Sequence, residues 1–142
     1  MMNDSEALLR LRVALREGQD SGQLPYSIEV RRRFHVMVCE IGVPVLRDLV
    51  NLLCIEGVTA HLLMGMDEAT PYVGIQLEQP ETTLWISPAT TGCDVLSSVY
   101  GGLHPKYASL RTLSYRVLMR STLEPVLVEQ LRLVLCPPQV II

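Results

Sequence analysis

The hydrophobic pattern of this chain changes its period at Gly57. Before that residue, apolar side chains recur every three to four positions, as they do on one face of a helix. After it, they alternate one by one, which is the spacing of a strand with one buried face. Helices followed by strands predict an α+β fold, in which the helices pack on one face of an antiparallel sheet of four to five strands.

The N-terminal segment predicts a helix that ends near Gly18. Asn3 and Glu6 have the spacing of a capping box, and Gly18 suits a helix C-cap. Because the apolar stripe between them is wide, we expect the helix to dock on the rest of the protein, beyond a turn-rich linker at 19–25. The stripe is formed by Leu8, Leu9, Leu11, Val13 and Leu15.

A second helical pattern begins near Ser27 and contains three consecutive arginines. On a helical wheel, Arg31, Arg32 and Arg33 lie outside one apolar stripe. We therefore interpret them as the solvated face of a helix rather than as a patch that binds phosphates. Glu29 can pair with Arg32 or Arg33 on this face. The apolar stripe consists of Val30, Phe34, Met37, Val38 and Ile41.

Pro44 is expected to kink or break this helix, because it has no N–H to donate and its ring clashes with the carbonyl of Glu40. On a continuous helical wheel, the apolar stripe after it is rotated by about 120° from the first one. Either the helix bends so that both halves face one core, or the second half faces another molecule, such as a second copy. The second stripe consists of Leu46, Leu49, Val50 and Leu53.

Residues 58–86 predict three strands, joined by short turns at 67–70 and 79–81. Short links between neighbouring strands imply an antiparallel meander. One face of this meander packs on the helices. The opposite face is a candidate subunit interface if no helix covers it, and it carries Trp85, Tyr72 and Leu63.

The remaining segments are assigned by weaker patterns. Residues 87–110 predict two loops around a short element at 95–100. Alternation over 113–119 predicts a fourth strand, and a capping-box spacing predicts a last helix over 121–136. The apolar tail at 137–142 follows two prolines, and it can either add to a sheet edge or pack on its own core.

The chain length predicts a single domain over residues 1–142, with helices in 1–57, the sheet in 58–120 and the last helix in 121–136. Apolar residue types make up 49% of the chain and charged types only 19%. Polar surface is therefore scarce. We expect a homo-oligomer, or a complex with a protein partner, that covers part of the apolar surface.

Charge and composition argue against several classes of protein. A net charge of −3 and an aromatic content of 5% disfavour nucleic-acid binding, which needs clustered positive charge and stacking rings. No apolar run reaches the roughly 18 residues that a membrane span needs. The N-terminus is acidic where a secretory signal is basic, so we predict a cytoplasmic protein. No C-x-x-C pair is present, which favours free thiols at Cys39, Cys54, Cys93 and Cys136.

Two groups of residues could carry chemistry. His35 and Cys39 have the spacing of two metal ligands on one helix face, but no third ligand follows at a signature distance, so we predict no metal site. Cys93, Asp94 and His104 fall in the segment without a clear period, where catalytic groups would sit on loops. No nucleophile-elbow motif or phosphate-binding glycine motif accompanies them, so we assign no catalytic residue and no cofactor.

Two functional hypotheses remain open. The first is a non-enzymatic protein-interaction module, a homodimer that holds a protein partner through an exposed sheet face or edge. The second is a small-ligand-binding domain, with or without catalysis, in which helices and a curved sheet enclose an apolar cone. An apolar outer sheet face would favour the first hypothesis, and a deep pocket the second. The mouth of that pocket would be lined by Cys93, Asp94, Tyr100, His104, Tyr107 and Tyr115.

Overall fold

The computed structural model describes residues 4–21 and 24–136. The helices are α1 (Asp4–Asp20), α2 (Ile28–Met37), α3 (Val43–Ile55) and α4 (Arg120–Leu135). The strands are β1 (Ala60–Gly65), β2 (Tyr72–Leu77), β3 (Thr82–Pro88), β4 (Asp94–Gly101) and β5 (Ser109–Ser114). The α+β fold class predicted from the sequence is confirmed. The predicted tail at 137–142 and the capping residue Asn3 lie outside the described residues.

The five strands form one antiparallel meander in the order β1-β2-β3-β4-β5. The register is continuous across the sheet: Leu62 pairs with Ile75, Ile75 with Leu84, and Leu84 with Val99. Each strand therefore lies beside the one that precedes it in sequence, as the short turns predicted. Side chains on one strand alternate between an inner face, which carries these four residues, and an outer face.

The core lies between the inner face of the sheet and three of the helices. Helix α3 packs on β1 and β2, α2 on β3, and α4 on β4. The helices contribute Phe34, Leu46, Leu123 and Leu127, all fully buried. Burying a large apolar side chain stabilises the fold by about 1.5–3 kcal/mol. The strands contribute Val73, Ile75, Leu77, Leu84, Ile86, Val95 and Val99.

A single π-helical turn at Val38–Gly42 joins α2 to α3. It ends with the N–H of Val43 donating to the carbonyl of Val38, five residues back. A π turn holds about one residue more than an α turn, so the residues that follow are turned back by about 100°. This offset nearly cancels the predicted rotation of the second apolar stripe. Both stripes therefore face the same core, and the expected break at Pro44 is absent from this described segment.

The strands after residue 87 differ from the prediction. The short element predicted at 95–100 is β4, a strand of eight residues. Its inward positions are Val95, Ser97 and Val99, and the buried serine interrupts the apolar alternation that would have identified it as a strand. The predicted strand over 113–119 is wrong beyond Ser114. Residues Tyr115–Val117 form a 3₁₀ turn instead, and β5 begins at Ser109.

Helix α1 does not dock, contrary to the expectation. Its apolar side chains are 44–65% exposed, with Leu8 at 65% and Leu11 at 55%. Only its C-terminal end is attached to the protein, where Asp20 accepts a hydrogen bond from the hydroxyl of Thr90. The helix also continues past Gly18, the predicted C-cap, to Asp20. A wide apolar stripe predicted an amphipathic helix, but it did not specify the surface that covers it.

Candidate interaction surface

An aromatic cluster occupies the centre of the outer sheet face. Trp85 on β3 lies between Tyr72 on β2 and Tyr100 on β4, with ring centroids 6.1 and 5.1 Å away. The contact between Trp85 and Tyr100 is edge to face, with an interplanar angle of 88°. In the described part of the chain, the helices that pack on the sheet all lie on its inner face. The three rings are therefore only partly covered, by their neighbours on the sheet.

Two glycines make room for these rings. A Cβ atom at Gly65 on β1 would collide with the ring of Tyr72, which lies directly opposite it. A Cβ atom at Gly74 on β2 would collide with the backbone of β3 at Leu84 and Trp85. The sheet thus places glycine where a ring or a neighbouring strand approaches closely. The position of the aromatic cluster therefore depends on glycine at both places, because any larger residue there would displace the Tyr72 ring or strand β3.

The surroundings of the cluster are uncharged near the centre of the face. Thr83 donates a hydrogen bond to the side-chain oxygen of Gln76 at 2.6 Å, which keeps both polar groups satisfied. Charges on the outward positions of the strands stand at the margins: Asp94 begins β4, and His61 lies 3.0 Å from Glu78 at the β1 side. Charge-poor surfaces with Tyr and Trp at the centre are typical of protein interfaces. Apolar side chains flank the cluster at Leu63, Leu96 and Leu110.

The sequence identified part of this surface. Trp85, Tyr72 and Leu63 lie on the outer face, as their alternation predicted. Leu96 and Leu110 were not identified, because they belong to residues 87–110, where only a short element at 95–100 of unassigned type was predicted. The alternation of Leu96, Ser98 and Tyr100 on β4 is the signal that could have found them.

The structure does not bring the predicted loop residues together. Cys93 and Asp94 lie at the start of β4, where the carbonyl of Cys93 accepts the N–H of Tyr115 at 3.1 Å. His104 and Tyr107 follow the other end of this eight-residue strand, which spans roughly 24 Å. A hydrogen-bonded Cys and His pair is thus excluded by the geometry of one strand.

The layer between helices and sheet is filled by side chains. The layer also contains a buried hydrogen-bond network. The side-chain amide of Gln130 on α4 donates to the carbonyl of Ser97 at 2.9 Å, and its oxygen accepts from the hydroxyl of Ser97 at 2.5 Å. A cleft of about 590 Å³ lies outside this layer, between α1, α2 and the β3–β4 turn. Neither His104 nor Tyr107 lines it.

The three consecutive arginines have three different roles. Arg32 pairs with Glu29 at 3.3 Å on an exposed surface, as predicted. Arg31 instead donates hydrogen bonds to main-chain carbonyls around the β1–β2 turn, including those of Met66 at 3.2 Å and Glu68 at 2.6 Å. The interpretation as a solvated face is therefore incomplete. The acceptors of Arg31 are backbone atoms far away in sequence, which no local pattern could indicate.

Arg33, the third arginine, lies against Tyr115. Its guanidinium is 4.4 Å from the centroid of the Tyr115 ring and donates to the carbonyl of Gly92 at 3.0 Å. Burial raises the pKa of Tyr115 to about 12, and the charge of Arg33 opposes that rise. The buried hydroxyl of Tyr115 has no hydrogen-bond partner among the described residues.

His35 and Cys39 do face each other on one helix, with Nε2 and Sγ 3.7 Å apart. No group of three or more His, Cys, Asp and Glu side chains that could hold a metal ion occurs within the described ranges. Among the helices between residues 4 and 136 that the structure describes, none has the length and apolar character to cross a membrane.

In comparisons with known proteins, no family model, no curated protein and no solved structure matches this chain.

Proposed function

We propose that this chain is a non-enzymatic protein-interaction module that forms a homodimer through the outer face of its sheet. The observation that carries this proposal is the cluster of Tyr72, Trp85 and Tyr100 at the centre of a face on which no described helix packs. Tyr and Trp dominate binding energy in many interfaces, because they bury a large area at a small cost in conformational entropy.

A second copy suits this face for two physical reasons. A two-fold interface must be complementary to itself, and an uncharged aromatic centre meets its own copy without like-charge repulsion. The close approach of the Tyr72 ring to Gly65 and of the β3 backbone to Gly74 also holds the aromatic centre firmly within the sheet, so little of its motion remains to be lost on binding. A different protein partner would then use a strand edge, since β1 and β5 each have one side on which no strand of the described residues pairs.

Trp85 is the only tryptophan in the chain, so its fluorescence reports directly on the centre of the proposed interface. We expect its emission maximum to shift to shorter wavelength as protein concentration rises. Sedimentation equilibrium should show a dimer over the same concentration range.

Two tyrosines of similar exposure provide a matched pair of variants. Tyr100, at 40%, lies in the cluster, whereas Tyr107, at 38%, lies in the turn after β4. Tyr100→Ser should weaken the dimer at least tenfold, which corresponds to about 1.4 kcal/mol, and Tyr107→Ser should leave it unchanged. A monomer at all concentrations, or equal weakening by both variants, would contradict the proposal.

A further inference from the structure

We infer that the cleft between α1, α2 and the β3–β4 turn binds an acidic peptide segment of a protein partner. This site differs from the outer sheet face in position and in chemistry. The cleft has a volume of about 590 Å³. We call it the arginine cleft, because α1 and α2 each contribute two arginines to its lining. The charged and hydroxyl side chains that line it are Arg12, Arg16, Ser27, Glu29, Arg32, Arg33, Thr90 and Thr91.

The position of α1 beside this cleft is fixed at its C-terminal end. The amide of Gln19 donates to the carbonyl of Pro25 at 3.1 Å, and the N–H of Leu24 donates to the carbonyl of Gly18 at 3.0 Å. On the opposite wall, the hydroxyl of Thr90 donates to Asp20. These contacts join the end of α1 to the start of α2 and to the β3–β4 turn. The wall that α1 forms is therefore held in place against the two other walls, which are formed by α2 and by the β3–β4 turn.

The charge in the cleft is opposite to that of the whole protein. Four guanidinium groups line it, although the net charge of the chain is −3. Neither Arg12 nor Arg16 makes a salt bridge with any residue that the structure describes. Glu29, the one carboxylate in the described lining, is paired with Arg32. Three of the four arginines, Arg12, Arg16 and Arg33, therefore have no carboxylate within salt-bridge distance among the described residues. Concentrated positive charge of this kind favours an anionic ligand.

The arginines differ in how firmly they are held. Arg33 is oriented by the carbonyl of Gly92 and by the ring of Tyr115, so little of its motion remains to be lost on binding. The Arg32 and Glu29 side chains are 67% and 82% exposed, and such surface pairs contribute little stability. A carboxylate from a ligand can therefore replace Glu29 beside Arg32.

The shape and lining of the cleft favour a peptide. Arg12 and Arg16 are four residues apart on α1, which is about 6 Å along the helix axis. Alternate residues of an extended peptide are about 6.8 Å apart, so two acidic residues separated by one other residue match this spacing. The apolar side chains of Leu15 and Val30 lie in the same cleft and can contact an apolar residue of the peptide.

Other anionic ligands fit less well. No aromatic ring lines the arginine cleft in the described residues, so bases of a nucleic acid would find no stacking surface. The net charge of the chain also opposes a polyanion that extends beyond the cleft. Carboxylates, by contrast, accept two parallel hydrogen bonds from one guanidinium, which suits arginine in particular.

The inference is tested with the chain of 142 residues and a short labelled peptide in which two glutamates flank a leucine. Fluorescence anisotropy should show binding that weakens as salt rises, and the same peptide with glutamine at both positions should bind at least tenfold more weakly. Inorganic phosphate serves as the simple anion for competition. Binding of phosphate without binding of the peptide would overturn the inference, as would absence of both.

Matched arginine variants locate the binding site. The double variant R12Q/R16Q should lose at least tenfold in affinity, which corresponds to about 1.4 kcal/mol, because both guanidinium groups that face the two peptide carboxylates are removed. The control R10Q/R47Q removes two arginines that do not line the cleft and should bind the peptide normally. The variant R12K/R16K should retain part of the affinity. Circular dichroism checks the fold of every variant, and equal loss in both glutamine doubles would overturn the inference.

Cys93 gives a readout that needs no variant. Cys93 is exposed and lines the cleft. Cys54, near the end of α3, is also exposed but does not line the cleft. The peptide should slow alkylation of Cys93 and leave alkylation of Cys54 unchanged, as measured by mass spectrometry. Unchanged rates at both cysteines under saturating peptide would place the ligand elsewhere. A protein that stays monomeric should still protect Cys93, which separates this test from that of the dimer.

Discussion

Arg120 donates two hydrogen bonds, from Nε and Nη2, to the main-chain carbonyl oxygen of Glu40, at 3.3 and 3.2 Å. Glu40 lies four residues before Pro44, which has no N–H to donate to that carbonyl. The first residue of α4 thus supplies a donor to this carbonyl, in place of the N–H that Pro44 lacks. The contact also joins two helices far apart in sequence across one side of the core.

Replacement of Arg120 tests this compensation. We expect Arg120→Gln to lower the free energy of unfolding by about 1 kcal/mol, the typical contribution of such a hydrogen bond. In a Pro44→Ala background the loss should be smaller, since the new N–H can donate to the carbonyl of Glu40. Urea unfolding of the four proteins completes a double-mutant cycle. The exposed Arg116→Gln serves as the control, and full additivity would contradict the compensation.

The buried amide of Gln130 predicts a larger effect. Its side chain is 2% exposed and joins α4 to β4 through Ser97 and to β5 through Ser109. Gln130→Met keeps the side-chain volume but leaves buried polar groups unpaired, so we expect a loss of about 1–3 kcal/mol in the free energy of unfolding.

Gln76 is the matched control for Gln130. Its amide also makes hydrogen bonds, but it lies on the outer face, where water can replace them. Gln76→Met should therefore destabilise the protein by less than Gln130→Met, as measured by urea unfolding. Equal losses in the two variants would show that burial of the amide does not determine the loss in the free energy of unfolding.

Removal of the Tyr115 hydroxyl, unlike replacement of the Gln130 amide, should not destabilise the protein. This hydroxyl is buried and has no partner among the described residues, so Tyr115→Phe should leave the free energy of unfolding at pH 7 unchanged or raise it by about 1 kcal/mol. Tyr26 is the control, because its hydroxyl interacts with Thr70. Tyr26→Phe should therefore lower the free energy of unfolding, and a clear loss from Tyr115→Phe would contradict the assignment.

Tyr115 also predicts a dependence on alkaline pH. Burial raises its pKa from 10.0 to about 12. Below pH 10 the hydroxyl is neutral in both the folded and the unfolded state, so its contribution to stability is fully present. Between pH 10 and 12 the unfolded state ionises first, and the free energy of unfolding falls as pH rises. Denaturant titrations should show a smaller fall in Tyr115→Phe, and an identical fall would contradict the raised pKa.

The exposure of α1 gives a prediction about stability. Because Leu8 and Leu11 are more than half exposed, the double variant L8Q/L11Q should change the free energy of unfolding by less than about 0.5 kcal/mol. Leu46→Ala in the core should cost about 2–5 kcal/mol and serves as the positive control. Measurement at low protein concentration keeps association out of the comparison. A loss above about 2 kcal/mol would indicate that α1 is docked.

Local patterns predicted most of the elements, but not every strand. The stripe around Phe34 predicted α2, and the alternation around Ile75 and Leu84 predicted the start of the meander. At β4 the pattern predicted a short element but not its type, because Ser97 is buried at an inward position and Gln130 on a distant helix satisfies its hydrogen bonds. A strand with a polar residue at an inward position cannot be distinguished from a loop by its sequence pattern unless the hydrogen-bond partner of that residue is known.

The candidate surface was predicted only in part for a related reason. Period-two alternation places Trp85 on a face, but it does not say which residues stand beside it on neighbouring strands. Tyr100 joins the cluster through the register of β4 against β3. The arginine cleft was missed entirely, because its walls come from α1, α2 and a turn more than fifty residues away in sequence.

The sequence alone determined the α+β class, the antiparallel order of the strands and the outward position of Trp85, because helix and strand periods and short turns act between neighbouring residues. Only the tertiary structure decided three other features. The π turn aligns the two apolar stripes, Arg120 donates hydrogen bonds to the main-chain carbonyl of Glu40, and α1 remains exposed. Those outcomes depend on contacts between residues that are distant in sequence. Local periodicity carries no information about which distant groups meet.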